Sequence, residues 1–146
     1  MKTLDTEGNY LRSALDLPPD FIAFGCSKLQ LYIFSHETLE MLSSLRVDNG
    51  VNCLGQGKEA EVLLVGEDDG IIELCSYPYL QSKKLVTLQN LANIFCIKST
   101  SRKDSELIIG TEKGVVFGDL LSNLTFTENK KETYLNFKCV RGIEEY

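Results

Sequence analysis

Three cysteines recur at a constant interval along this chain. Cys53, Cys96 and Cys139 stand 43 residues apart twice over (96−53 and 139−96), each third in a short, partly apolar stretch. A second landmark, a glycine that ends an apolar run, recurs at intervals of 41 (66−25) and 44 (110−66), at Gly25, Gly66 and Gly110. Two landmarks with nearly the same period indicate an array of similar units of about forty residues.

Each unit contains short apolar runs separated by turn residues, a pattern that favours β-hairpins over amphipathic helices. In the middle unit, residues 60–66 form one run, Asp68-Asp69-Gly70 supplies the turn, and residues 71–75 begin the return strand. The third unit repeats this hairpin at residues 105–117. The first unit repeats it at residues 20–34, but Leu29 replaces the turn glycine there, so we expect a different turn.

Further apolar stretches suggest a four-stranded unit. An inner strand with the periodic cysteine precedes each of the last two hairpins, and residues 11–17 can supply the inner strand of the first unit. Outer strands are expected at residues 39–42, 85–88 and 124–126. The sequence therefore predicts an all-β chain of β-propeller blades, each with four antiparallel strands.

The chain resembles the WD-repeat β-propellers through the pattern apolar-Gly-x-x-x-Gly-apolar, which occurs at residues 65–72 and 109–116. The chain has no tryptophan, and Cys75-Ser76 and Phe34-Ser35 stand where a Trp-Asp pair would close the third strand. Propellers of the citron-homology type fit residues 110–114 about equally well, so the subfamily stays open.

The expected organisation is one partial propeller domain over residues 1–146. Its blade-like units lie at about residues 11–47, 51–90 and 92–127, with an extra strand at about 134–140. Even four blades of this size need about 160 residues, so we expect an incomplete ring with exposed terminal blades. Self-association, a second chain or the remainder of a longer protein could cover them, and we favour the last.

The charge and hydropathy of the chain indicate which kinds of partner to expect. The net charge is −6, basic residues are scattered, and no apolar run reaches the roughly 18 residues of a membrane span, so neither nucleic acid nor membrane is expected as a partner. Residues 1–8 contain no apolar core of a signal peptide, which favours the cytoplasm, with the nucleus possible.

No residue pattern supports chemistry. The periodic cysteines lack the close pairing of zinc sites and are expected to be buried fillers, whereas Cys26 and Cys75, near strand ends, could be more exposed. Residues 54–62 imitate the glycine-rich loop of protein kinases, but Ala60 replaces the third glycine and no other kinase motif is present, so we interpret them as a loop between strands. We expect no catalytic residue, no cofactor and no metal, and therefore no enzyme.

A binding function remains, because short loops on a rigid β scaffold make recognition surfaces. The resemblance to WD-repeat propellers implies a partner-binding face made by the turns between second and third strands and by the connections between blades. On this chain that face comprises Ser27, Lys28, Asp48, Asn49, Asp68, Asp69, Asn90, Asn93, Glu112 and Lys113. It leans acidic, so we expect a non-catalytic scaffold that binds protein partners through basic or polar peptide segments. The alternative is a regulatory propeller portion of a larger enzyme or GTPase regulator whose catalytic domain lies outside this chain.

Overall fold

The computed structural model describes residues 11–26 and 29–129, which form three four-stranded antiparallel sheets that do not close into a ring. Each sheet follows the order of its strands in the chain, and we call the sheets blades 1, 2 and 3. Blade 1 contains β1 (Leu11–Leu17), β2 (Phe21–Cys26), β3 (Gln30–Ser35) and β4 (Met41–Arg46). Blade 2 contains β5 (Cys53–Gly57), β6 (Val62–Gly66), β7 (Ile71–Ser76) and β8 (Gln81–Thr87). Blade 3 contains β9 (Ile94–Ser99), β10 (Glu106–Thr111), β11 (Gly114–Leu120) and β12 (Phe126–Glu128). The prediction of all-β, propeller-type blades in an incomplete ring is confirmed.

The repeating cysteines and glycines pair with each other across the two inner strands of a blade. Cys53 lies opposite Gly66, and Cys96 lies opposite Gly110. Cys53 and Cys96 are both buried, as predicted, while Cys139 lies outside the described residues. The cysteine repeat and the glycine repeat therefore mark the two members of one facing pair, which occurs in blade 2 and again in blade 3.

Blade 2 is buried on both faces because a blade packs on each side of it. Successive residues of a strand point to opposite faces, so Leu63 joins the apolar core against blade 1 and Leu64 the core against blade 3. All five residues of β6 are buried. We call the contact between blades 1 and 2 the first junction and the contact between blades 2 and 3 the second junction.

The glycine-rich stretch of blade 2 is part of a strand, so its interpretation as a loop is wrong. Gly55 and Gly57 lie within β5, and the turn follows at residues 58–61. A Cβ atom on Gly55 would lie 3.1 Å from Ile97, and one on Gly57 would lie 3.0 Å from Leu120. These glycines allow blade 3 to approach the backbone of blade 2 closely.

The outer strands lie away from their predicted positions. They span Met41–Arg46, Gln81–Thr87 and Phe126–Glu128, so the first and third begin later, and the second earlier, than the apolar stretches suggested. In β8 every residue except Val86 is exposed. An exposed edge strand has little apolar signal, because backbone pairing rather than burial places it.

Two of three other expectations can be compared with the structure. Cys26 and Cys75, expected to be the more exposed cysteines, are both 0% exposed, and Cys75 belongs to the apolar core of the first junction. Leu29 adopts φ 63°, so it takes the left-handed conformation expected of the glycine it replaces. The predicted strand at 134–140 lies outside the described residues.

Candidate interaction face

The turns between second and third strands and the connections between blades lie at the same end of the three sheets. We call this end the loop face. It brings together eight of the ten residues predicted for partner binding, and Ser27 and Lys28 lie outside the described residues. The eight are Asp48, Asn49, Asp68, Asp69, Asn90, Asn93, Glu112 and Lys113.

At the first junction, the connection between blades holds the turn of blade 2. The Asp68 backbone N–H donates to the Asn49 carbonyl at 3.3 Å. The Asn52 side-chain amide donates to Asp68 Oδ1 at 2.8 Å. Asp48 and Asp68 themselves are exposed, so the hydrogen bonds fix the backbone while the carboxylates face solvent.

At the second junction, hydrogen bonds join the turns of blades 2 and 3 to the connection between these blades. The Asp69 N–H donates to Asn93 Oδ1 at 2.9 Å, and the Asn93 N–H donates to Glu112 Oε1 at 3.1 Å. In return, the Glu112 N–H donates to the Asn93 carbonyl at 3.0 Å. Lys113 Nζ donates to the Asn90 carbonyl at 2.9 Å. The Lys113 ammonium group is therefore already hydrogen-bonded within the loop face.

The turn of blade 2 depends on left-handed backbone conformations. Asp69 and Gly70 have φ values of 60° and 74°, which aspartate tolerates and glycine adopts freely. A Cβ on Gly70 would lie 2.8 Å from the Leu91 Cα, and the Gly70 carbonyl accepts from the Leu88 N–H at 2.8 Å. The turn glycine therefore lets the next connection pass directly over it.

A cavity of about 350 Å³ opens on the loop face at the first junction. Three carboxylates line it, against one guanidinium. Its lining residues are Arg12, Leu29, Asp48, Asn49, Gly50, Val51, Asn52, Asp68 and Asp69. Arg46 Nε lies 3.5 Å from Asp48 Oδ1, but both side chains are well exposed, so this pair neutralises little of the negative potential.

A pair of carboxyl groups is buried beside the cavity. Glu67 is 1% exposed, and burial, followed by the nearby Glu73 carboxylate, raises the pKa of Glu67 to about 8. Hydrogen bonds from Asn49 oppose this shift. The Oε2 atoms of Glu67 and Glu73 are both buried without a hydrogen-bond partner. One proton held between them would satisfy both atoms, consistent with a protonated Glu67 at neutral pH.

Sequence reasoning missed Arg12, Asn52 and Glu67 at this site. Asn52 lies three residues after Asn49, the last residue predicted for this connection, so a prediction extended by three residues would have included it. Arg12 comes from β1, and only the packing of blade 1 on blade 2 brings it to the cavity. Glu67 directly precedes the predicted turn, and its carboxyl meets Asn49 and Glu73 only in the folded chain.

The described residues contain no cluster of histidine, cysteine and acidic side chains that could hold a metal ion. Burial raises the pKa of Cys53 and of Cys75 to about 12, which makes thiolate chemistry unfavourable at these positions. Across residues 11–26 and 29–129, no helix is long and apolar enough to cross a bilayer.

Comparison with known proteins identifies the fold. No protein-family model matches this sequence, and no curated protein matches it. Solved structures of propellers do match. The chain superposes on "Structure of U3-55K" with a TM-score of 0.78 and 11% identity, covering 95% of this chain and 43% of that one. It superposes on "Crystal structure of RRP9 WD40 repeats" with a TM-score of 0.78 and 12% identity, covering 95% of this chain and 42% of that one.

A third similar structure is "Crystal Structure of Mitotic Checkpoint Complex", with a TM-score of 0.69 and 16% identity, covering 92% of this chain and 41% of that one. The chain thus spans less than half the length of each of these structures. Because the identities are low, the likeness establishes fold alone. The three sheets are blades of a WD-repeat-like β-propeller.

Proposed function

We propose that this chain is a non-catalytic interaction module that binds a basic or polar peptide segment of a protein partner on its loop face, at the first junction. The observation that carries the proposal is the cavity between blades 1 and 2, which is lined by Asp48, Asp68 and Asp69. Its volume of about 350 Å³ lies at the lower end of the range for ligand pockets. It can accept one long side chain.

The cavity is expected to prefer a cation because the carboxylates that line it are exposed to solvent. Asp48, Asp68 and Asp69 are exposed at the cavity, whereas Glu67 beneath them is buried, with a raised pKa. A lysine or arginine of the partner would approach three carboxylates, and the backbone N–H groups of two of these residues, Asp68 and Asp69, are held by hydrogen bonds. A rigid site loses little conformational entropy when it binds, so its charge pairs contribute more of their energy to affinity.

The similar solved structures support the general part of the proposal. One of them was solved as a component of a complex, the Mitotic Checkpoint Complex. WD-repeat propellers commonly present loops to protein partners. The charge of the partner segment is argued from the residues of this chain alone.

A titration with synthetic peptides tests the proposal. A fluorescent peptide of lysine, arginine, glycine and serine should raise its anisotropy on addition of the chain, and a glutamate counterpart should not. The double variant Asp48→Asn/Asp68→Asn should weaken binding by roughly fivefold or more, as expected for two lost charge pairs.

The matched control makes the same change in charge at the opposite end of blade 2. Glu59 and Glu61 are exposed in the turn between β5 and β6, and Glu59→Gln/Glu61→Gln should alter affinity less than about twofold. Equal weakening by both double variants would mean non-specific attraction to a negative protein. That result, or equal binding of the acidic peptide, would overturn the proposal.

A further inference from the structure

The two junctions share one packing contact. At the first junction Val51 covers Gly25, and at the second junction Ile94 covers Gly66. A Cβ on Gly66 would lie 2.7 Å from Ile94 Cγ2, and one on Gly25 would collide with the side chain of Val51. Val51 and Ile94 are 1% and 0% exposed. In blades 1 and 2, the missing side chain of the glycine therefore leaves a space that an apolar residue of the following chain segment fills. We call this space the glycine socket.

The residue that fills the socket has a fixed place in the repeat. Val51 lies two residues before Cys53, and Ile94 lies two residues before Cys96. The third cysteine of the series is Cys139, and two residues before it stands Phe137.

Blade 3 carries the same socket on its outward face. Gly110 lies opposite Cys96 and Val115, as Gly66 lies opposite Cys53 and Ile72. Cys96 and Val115 are each 8% exposed, yet they belong to neither of the two core clusters, which fill the junctions.

Two further apolar residues extend this face. Ile108 lies opposite Phe117, and both are half-buried. Their equivalents in blade 2, Leu64 and Leu74, are buried in the second junction. The outward face of blade 3 is therefore built like a face that another blade covers.

We propose that residues 134–140 of this chain lie on the outward face of blade 3 as the inner strand of a fourth blade, with Phe137 over Gly110. The length of the chain permits it. Six residues, 47–52, join β4 to β5, and six, 88–93, join β8 to β9, while five, 129–133, separate β12 from Tyr134. This inference does not depend on the proposed binding function.

Docking of this segment would bury Cys139, just as Cys53 and Cys96 are buried. The four other cysteines of the chain, Cys26, Cys53, Cys75 and Cys96, are all buried. Counting reactive thiols in the native 146-residue chain therefore tests the proposal, with mass spectrometry to assign each label. No thiol should react rapidly with Ellman's reagent, and Cys139 should react at least about tenfold more slowly than in a peptide of residues 130–146.

Substitutions in the segment test the register. Phe137→Ala should accelerate labelling of Cys139 by roughly tenfold or more, while Cys53 and Cys75, which lie in the two junctions, stay protected and so report that the blades remain folded. Lys138→Ala is the matched control, since its side chain would point away from Gly110. It should change the rate less than about twofold.

Three outcomes would overturn the proposal. Cys139 could react in the native chain as fast as in the peptide, which would mean that the segment does not dock. Its protection could disappear on dilution, which would mean that a second copy covers the face. Phe137→Ala could leave a protected Cys139 unchanged, which would mean that another residue fills the socket.

Discussion

The first and second junctions use the same backbone packing but enclose different chemistry. Glu73 of blade 2 and Val116 of blade 3 occupy equivalent positions, opposite Val65 and Ile109 respectively. In the first junction, this position adds the half-buried carboxyl of Glu73 to the buried carboxyl of Glu67, near an open cavity. In the second junction, it adds a valine to a continuous apolar core.

The loops at the two junctions also differ from each other. At the second junction, four hydrogen bonds join residues 69, 90, 93, 112 and 113. At the first junction, exposed carboxylates surround a cavity. The repeat therefore determines how blades stack, while single side chains determine the polarity and charge of each junction.

The largest expected effect comes from opening the apolar core of the second junction. Leu64 is 0% exposed in that core, so Leu64→Ala should lower the free energy of unfolding by about 2–5 kcal/mol. Leu85→Ala, at a 56% exposed position of the same blade, should cost less than about 0.5 kcal/mol. Urea unfolding measures both, and similar costs would mean that the second junction is not the packed one.

The carboxyl pair of the first junction should make stability depend on pH. The pKa of Glu67 is raised to about 8 in the folded chain from an ordinary value of 4.5, so the folded state binds the proton more tightly. Its contribution is full below pH 4.5 and is lost as pH rises toward 8. Each unit of pKa difference corresponds to about 1.4 kcal/mol, so the loss is on the order of a few kcal/mol.

Urea unfolding between pH 5 and pH 8.5 checks this dependence. Glu67→Gln should flatten it, because the amide does not titrate in this range. Glu112→Gln, at the second junction, should keep the slope of the parent chain. A parent chain whose stability is constant across this range would show that Glu67 is ionised in the folded state.

The smallest expected difference separates the loop hydrogen bonds of the two junctions. Asn93 is half-buried and its side chain accepts from the Asp69 N–H, so Asn93→Ala should cost about 1 kcal/mol. The Asn52 contact with Asp68 is exposed to solvent, and Asn52→Ala should cost less than about 0.5 kcal/mol. Unfolding curves with the reverse order would contradict the assignment of the second junction as the more tightly joined.

Sequence reasoning located what the repeat imposes. The period of the cysteines, the hairpins and the first inner strand, Leu11–Leu17, all agree with the structure. It missed the first half of β8, because residues 81–84 are polar and exposed and only the apolar residues at its end were recognised. It also failed for Gly55 and Gly57, because only blade 3, packed against them, reveals why a strand needs glycine there.

The candidate site was predictable only in part. The pattern of turns and connections placed eight described residues at one end of the sheets. The pairing of Glu67 with Glu73 arises from the return of β7 along β6, and the cavity needs Arg12 from a different blade. Both depend on contacts between elements that no local pattern encodes.

Hydrogen exchange of the whole chain, with and without the lysine- and arginine-containing peptide, tests most directly whether the first junction is the binding junction. Binding at the first junction should slow exchange in segments 47–52 and 67–70 and leave segments 88–93 and 58–61 unchanged. Slower exchange confined to segment 88–93 or 58–61, with segments 47–52 and 67–70 unchanged, would contradict it.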